Sequence, residues 1–191
     1  STNLDFSELL SLNDKKKFAS LISAQNQIFE SQKEIILKKK EVDIHSLIQH
    51  VADNINPIIH TNQGTLILNL DASPSLLLLD EVHISNVIHN LLDNAIKYSP
   101  NQLHVEIQTE SQEGQFVIKI KDQGIGMEKS VLETVFEPFY RVPTGNIHNV
   151  KGFGLGLSYV KKIVDAHGGK VKVESTLGAG STFIISLPYG S

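Results

Sequence analysis

Four short polar and glycine-rich clusters, spread over about half the chain, constrain it more than any other feature: HNLLDNAIKYS from His89, DQGIGM from Asp122, KGFGLGLS from Lys151 and GAGST from Gly178. Each is weak alone. Together, and in this order, they supply what an ATP site needs: a metal-binding helix face, an acceptor for adenine, a glycine-walled floor and a helix start that cradles phosphate. A fold that uses all four must bring them to one cleft.

The layout between the clusters says how that could happen. Phe18, Leu21, Ile22, Ile28 and Phe29 recur at helical spacing, so the stretch from Phe6 to about Glu30 reads as one amphipathic helix, too short and too interrupted at Gln25 for a long coiled coil. Residues 1–32 are thus expected to be a helical appendage, and 33–191 one domain. A strand-like EIILKKK follows. Asp43 is placed to cap a helix carrying Ile44, Leu47, Ile48 and Val51, which Pro57 and Gly64 should bring to a close within a turn or two. Strands are expected at Thr65–Leu70 and, as a short buried run, at Leu76–Leu79, after which Asp80 caps the helix of the first cluster. Alternation in Leu103–Ile107 and Phe116–Ile120 around Gly114 predicts a hairpin whose second strand delivers Asp122. A turn-rich loop, a helix over Leu155–His167 stopped by Gly168-Gly169, and strands at Lys170–Glu174 and Ser181–Leu187 complete the chain. Hairpin-like strands with grouped helices favour a two-layer α+β sandwich over a doubly wound parallel sheet.

Several function classes fall away on composition. A formal net charge of -4 gives no broad basic field for nucleic acid, the lysine runs 15–17 and 38–40 being small. With no cysteine there is no disulfide framework, thiol nucleophile or thiolate metal site. The longest aliphatic stretch, Leu76–Leu79, is far below the ~20 residues of a membrane-spanning helix, and STNLDF is not a signal peptide. The chain reads as soluble, yet its start without methionine is what an excised piece of a longer, membrane-anchored protein would show.

On the helix of the first cluster, Asn86, Asn90, Asp93, Asn94 and Lys97 share one polar sector opposite Ile84, Ile88, Leu91, Leu92, Ala95 and Ile96. Asparagine is a poor helix former, costing roughly 0.5 kcal/mol per position against alanine. Amide oxygens at i and i+4 offer hard donors to Mg²⁺, and Lys97 a point charge for phosphate; read alone, the pair is equally at home on a solvent-facing helix. Asp122, at a strand end beside Gly124 and Gly126, suits adenine, whose exocyclic amine donates where guanine would bring a second acceptor; an ordinary Asp-x-Gly turn has the same sequence. Gly152, Gly154 and Gly156 before a helix match neither the dinucleotide fingerprint nor the Walker loop. VPTGNIHNV, between Arg141 and Lys151, reads as a mobile lid or a plain surface loop. The eight histidines lack the i, i+4 spacing of a helical zinc pair at 45/50 and 83/89, so hydrogen-bonded or solvated imidazoles are expected.

From about Glu34 to Pro188 the chain resembles the catalytic and ATP-binding domain of bacterial sensor histidine kinases, within the group that includes DNA gyrase, a major heat-shock chaperone and the mismatch-repair clamp. His89–Ser99 is similar to the N box, Asp122–Met127 to the first glycine box, Phe136–Arg141 to the F box, Gly152–Leu157 to the second glycine box and Gly178–Phe183 to the last. The resemblance implies an α/β sandwich with a mixed, largely antiparallel sheet of the Bergerat type. It also implies an ATP site in which Asn90 and Asn94 approach Mg²⁺, Lys97 the phosphates, Tyr98 the adenine ring and Asp122 its amine. Gly124, Gly126, Lys151, Gly152, Gly154, Leu155, Gly156 and Leu157 would line it, with Thr182 assisting through water.

Clamp ATPases of this group carry a glutamate one helical turn before the metal-binding asparagine. Asn90 accepts no proton and so suits metal binding without water activation. The resemblance therefore implies a kinase that passes the γ-phosphoryl to a histidine. Sensor kinases phosphorylate a histidine followed by Glu or Asp and an Arg-Thr-Pro-like stretch, and no histidine here has that setting. The acceptor helix is expected on another segment or chain. Further implied partners are a response regulator receiver domain and, in the parent, a second copy, with a cytoplasmic location. An ATP-hydrolysing clamp and a nucleotide-sensing module without transfer are the alternatives.

Overall fold

The computed structural model describes residues 35–100, 103–140 and 154–189. The expected helix over 6–30, the expected lid, Lys151 and Gly152 lie outside the described residues.

The chain enters at Ile35 and forms its first strand, β1, only at Lys40–Asp43. The expected strand over 34–40 therefore starts later. Ile36 is 84% exposed, and the Lys38 N–H donates to Asp80 Oδ2 at 2.7 Å instead of joining a ladder. Asp43 then caps α1, Ile44–Thr61, by accepting from the His45 N–H. The helix ends at Thr61, one turn past Pro57 and before Gly64, as expected; Pro57 sits on the exposed face, so Ile55 and Ile59 stay buried on the other side.

β2 is Thr65–Leu70 and β3 is Leu76–Leu79, both where the sequence puts them. β3 pairs antiparallel with β1 in a small two-stranded sheet. It is not a buried strand: Leu77 and Leu79 face the core, whereas Leu76 and Leu78 are exposed. A four-leucine run cannot report this alternation; only the pairing with β1, which covers one face, reveals it.

Asp80 caps α2, Glu81–Lys97, through Oδ1 and the His83 N–H. The hairpin follows as β4, His104–Gln112, and β5, Gln115–Asp122. Its two turn residues, Glu113 and Gly114, both have positive φ, as the right-handed twist of a hairpin asks. A one-turn helix α3, Lys129–Leu132, interrupts the expected loop. Then come α4, Gly156–Ala166, β6, Lys170–Thr176, and β7, Gly180–Pro188.

The main sheet has the order β2-β4-β5-β7-β6. β2 and β4 are parallel and the remaining pairs antiparallel, so the sheet is mixed and largely antiparallel as expected. α1 packs over β2, α2 over β5 and α4 over β6, a helical layer on one face. The core lies between them: Ile84, Ile88, Leu91 and Leu92 of α2 meet Ile107, Ile118, Ile120 and Ile185 of the sheet, all essentially inaccessible. At ~1.5–3 kcal/mol for each fully buried aliphatic side chain, this packing fixes the rotation of α2. Its amide face is left pointing out of the core, toward the start of α4.

Candidate functional site

The site begins with what the core leaves over on α2. Asn90 is half-buried; its Nδ2 donates to the Asn86 carbonyl at 2.8 Å, so Oδ1 is the atom turned outward. That oxygen lies 3.0 Å from where a Cβ on Gly156 would stand, which places the first residue of α4 directly against the amide face. Asn94, half-buried one turn on, lends its carbonyl to the Tyr98 N–H, which ends the helix. Lys97 is exposed and paired with Asp93 Oδ2 at 2.5 Å, so the expected phosphate cation is held by its own helix. An exposed pair of this kind is worth ~1 kcal/mol or less, and an arriving phosphate can compete for it.

The second cluster packs against the end of α2. Tyr98, half-buried, accepts the Ile125 N–H at 2.9 Å. A Cβ on Gly124 would lie 2.3 Å from the Tyr98 carbonyl oxygen, so any other residue there would push the strand end off the helix. Gly126 is tighter still: its φ is +64 and a Cβ would stand 2.0 Å from the Thr176 carbonyl oxygen. The last cluster closes from the other side. Gly178 N–H donates to the Ile125 carbonyl at 2.7 Å, and Met127 N–H to Ser175 Oγ at 2.8 Å.

Asp122 stands where these pieces meet. It is 6% exposed, and its Oδ1 accepts the N–H groups of Gly124 at 2.8 Å and Ser181 at 3.2 Å. Oδ2 accepts nothing among the described residues. Burial pushes the Asp122 carboxyl above the usual aspartate range, against the two N–H bonds, which pull it down. Oδ1 is thus held by the backbone, beside Gly124, which carries no side chain.

Thr182 requires a correction. Successive strand residues point to opposite faces, and Thr182 is in register with Lys121 and Glu174, away from the Asp122 side. The hydroxyl on the Asp122 side belongs to Ser181, which is 8% exposed, with Oγ 2.9 Å from Ser175 Oγ. The glycine-serine-threonine run alone gave no means of choosing between adjacent hydroxyls; the register of β7 against β5 does.

The second glycine segment is described from Gly154. Its carbonyl accepts the Phe139 N–H at 2.9 Å, and the F-box residue Phe136 packs edge-on against Phe183 of β7, ring centroids 6.3 Å apart. Leu155 is buried and precedes α4; Leu157 is half-buried and packs on the core. Four imidazoles are hydrogen-bonded, His45 to Thr109, His83 to Tyr159, His104 to Thr65 and His167 to Ile163 and Asp80, whereas His50, His60 and His89 are exposed.

Three of the four clusters therefore converge through direct contacts at the Asp122 end, and the fourth reaches Asn90 through Gly156. The sequence profile of the family described as "Histidine kinase-, DNA gyrase B-, and HSP90-like ATPase" matches residues 79–191, more than half of the chain and every one of these clusters. The chain belongs to this family.

Within it, the relatives are sensor kinases. Sensor protein RprX of Bacteroides fragilis is 45% identical over 166 residues, which cover 86% of this chain and 32% of that protein. The catalytic domain of histidine kinase ThkA superposes with a TM-score of 0.71 at 26% identity, covering 81% of this chain and 99% of that one. Full-length ShkA in complex with AMPPNP gives 0.77 at 26% identity, covering 88% of this chain and 36% of that one. The chain spans about a third of the length of RprX. Among the described residues no helix is long and apolar enough to cross a membrane.

Proposed function

We propose that this chain is the ATP-binding catalytic domain of a two-component sensor histidine kinase, binding Mg-ATP and donating the γ-phosphoryl to a histidine on a dimerisation helix outside it. The observation that carries this is the setting of Asp122: a buried carboxylate whose Oδ1 is held by two backbone N–H groups beside Gly124, leaving Oδ2 for a ligand donor, in a family of ATPases whose relatives here are named sensor kinases. The amine of adenine fits that acceptor. Guanine would set a carbonyl against it.

Asn90 and Asn94 fit Mg²⁺: neutral amides one turn apart on α2, with the outward Oδ1 of Asn90 beside the α4 start, where phosphates would lie. The metal, when bound, would neutralise phosphate charge. Lys97 leaves Asp93 to add its own positive charge, Tyr98 flanks the ring, and Gly126, Gly154, Leu155, Gly156 and Leu157 form the wall and floor, with Lys151 and Gly152 continuing the same segment. Ser181 replaces Thr182 as the hydroxyl beside Asp122. The acceptor imidazole nitrogen forms the bond to the γ-phosphorus, the bond to the bridging oxygen breaks, ADP leaves, and the imidazole proton passes to solvent.

Asn90 argues against a hydrolase, since a neutral amide cannot take the proton of an attacking water. The partners proposed are the acceptor domain, a response regulator and, in the parent, a second copy, with the catalytic domain on the cytoplasmic side. The test is phosphoryl transfer from labelled ATP to a separately supplied acceptor-helix domain. Acid-labile label on the acceptor, absent with Asn94→Ala although that variant folds, supports the proposal. Rapid ATP turnover without acceptor would establish a hydrolase instead, and ATP binding with neither activity a sensing module.

A further inference from the structure

Three contacts show that α4 runs back along α2. Gly156, its first residue, lies against Asn90: a Cβ there would stand 3.0 Å from the outward Oδ1. Three residues on, the Tyr159 hydroxyl meets His83 Nδ1 at 2.8 Å. Just past the last turn, His167 Nε2 accepts the Asp80 N–H at 3.0 Å. Going forward along α4 therefore goes backward along α2, from Asn90 to His83 to Asp80. Tyr159 and His167 are pins, each a hydrogen bond between the two helices. The contact at Gly156 is not one, because glycine has no side chain to hold with and α4 has no side-chain cap.

The spacing of the pins matters for the end that carries the site. At 1.5 Å of rise per residue, Gly156 lies about 4.5 Å along the helix from Tyr159 but about 16 Å from His167. Pinned at His167 alone, α4 would turn a small tilt into a large displacement at its start; a second pin one turn from that start suppresses it. The buried Val160, Ile163 and Val164 fix which face α4 turns to the core, but apolar burial is non-directional and sets no bond length. Burial, opposed by the nearby Asn86 side chain and aided by the Asp80 charge, holds the Tyr159 phenol above its ordinary range, so the hydroxyl stays protonated at neutral pH.

We propose that Tyr159 is a positioning residue of the nucleotide site: its hydroxyl, pinned to His83, holds the first turn of α4 against the amide face of α2 and so sets the width of the gap that the phosphates and their metal must bridge. This rests on the reading of the cleft as a nucleotide site. Tyr159 touches neither phosphate nor metal and acts through Gly156 and Asn90.

The experiment is calorimetric titration of the chain, of Tyr159→Phe, of His83→Ala and of the double variant with Mg-ATP and with adenosine, together with thermal melts without ligand. Tyr159→Phe keeps the ring and loses only the hydroxyl. It should bind Mg-ATP about 3- to 10-fold more weakly, the range for one lost hydrogen bond, and adenosine as the unaltered chain does, because only the phosphate end spans the two helices. His83→Ala should behave likewise, and the double variant should lose no more than either alone, since both remove the same bond. A pair that serves stability only would lower the melting temperature and leave both affinities unchanged, which would overturn the proposal. Equal weakening of the two ligands, or losses that add in the double variant, would overturn it as well. If the unaltered chain bound neither ligand, the nucleotide-site reading itself would fall, whereas normal binding by the chain and by Tyr159→Phe would remove only the role of Tyr159.

Discussion

The N–H of Ser181, on β7, donates to Oδ1 of Asp122, at the end of β5, across 3.2 Å, and the Gly124 N–H shares the same oxygen at 2.8 Å. These two bonds decide what Asp122→Asn would do. The amide oxygen must stay on the two backbone donors, so the new NH₂ must face the ligand, donor against the adenine amine. ATP affinity should fall roughly 10- to 100-fold, the range for a lost bond plus an unsatisfied group. The melting temperature should hold, because the backbone bonds survive. Calorimetry and a thermal melt check both, and undiminished affinity would contradict the assigned acceptor.

Acidification probes the same oxygen. Burial raises the folded Asp122 carboxyl above its ordinary 3.8, so the folded state holds this proton more firmly than the unfolded one. Its contribution to stability is full below 3.8 and is lost as pH rises through the raised value. Nucleotide binding runs the other way, since only the ionised carboxylate accepts without also donating. ATP affinity, titrated from neutral pH down to about 4, should begin to fall above the usual aspartate range. A flat profile would count against it.

His167 couples α4 to the cap of α2. Its Nε2 accepts the Asp80 N–H at 3.0 Å while Nδ1–H donates to the Ile163 carbonyl at 2.8 Å, an arrangement only the neutral ring can make. Burial pushes its pKa below the ordinary 6.5, aided by Lys39 and His83 and opposed by the Ile163 carbonyl and Asp80. The stability it contributes is complete above 6.5 and is lost as pH falls through the lowered folded value. Urea midpoints of the unaltered chain should drop below pH 6.5, and those of His167→Gln should drop less. Parallel curves would refute the coupling.

Lys97 and Asp93 form an exposed ion pair. Lys97→Ala should change stability by less than about 1 kcal/mol while weakening ATP more than adenosine, because only ATP brings phosphates. Equal weakening of both ligands, read by calorimetry, would remove Lys97 from the phosphate end.

Most of the fold was legible because its signals are local. Asp43 and Asp80 before apolar-periodic runs marked two helix starts, and alternation around Gly114 marked the hairpin. What escaped depends on contacts made far along the chain. The outward leucines of β3 follow from pairing with β1, and the late start of β1 from the bond between Lys38 and Asp80.

The site shows the same division. Asp122 and the asparagines stood out because glycines and helix period frame them. Choosing Ser181 over Thr182 takes the register of β7 against β5, which no sequence motif encodes.

The central claim is that the amide face of α2, the Asp122 corner and the start of α4 hold one adenine nucleotide. Backbone amide NMR of the chain, titrated with Mg-AMPPNP, tests it most directly. Asn90, Asn94, Gly124, Gly156 and Ser181 should shift together along one saturating curve, while Gly114 in the β4–β5 turn and Gly168 after α4 stay still. Shifts confined to only one of those segments, or separate curves for Asn94 and Gly124, would contradict a shared site.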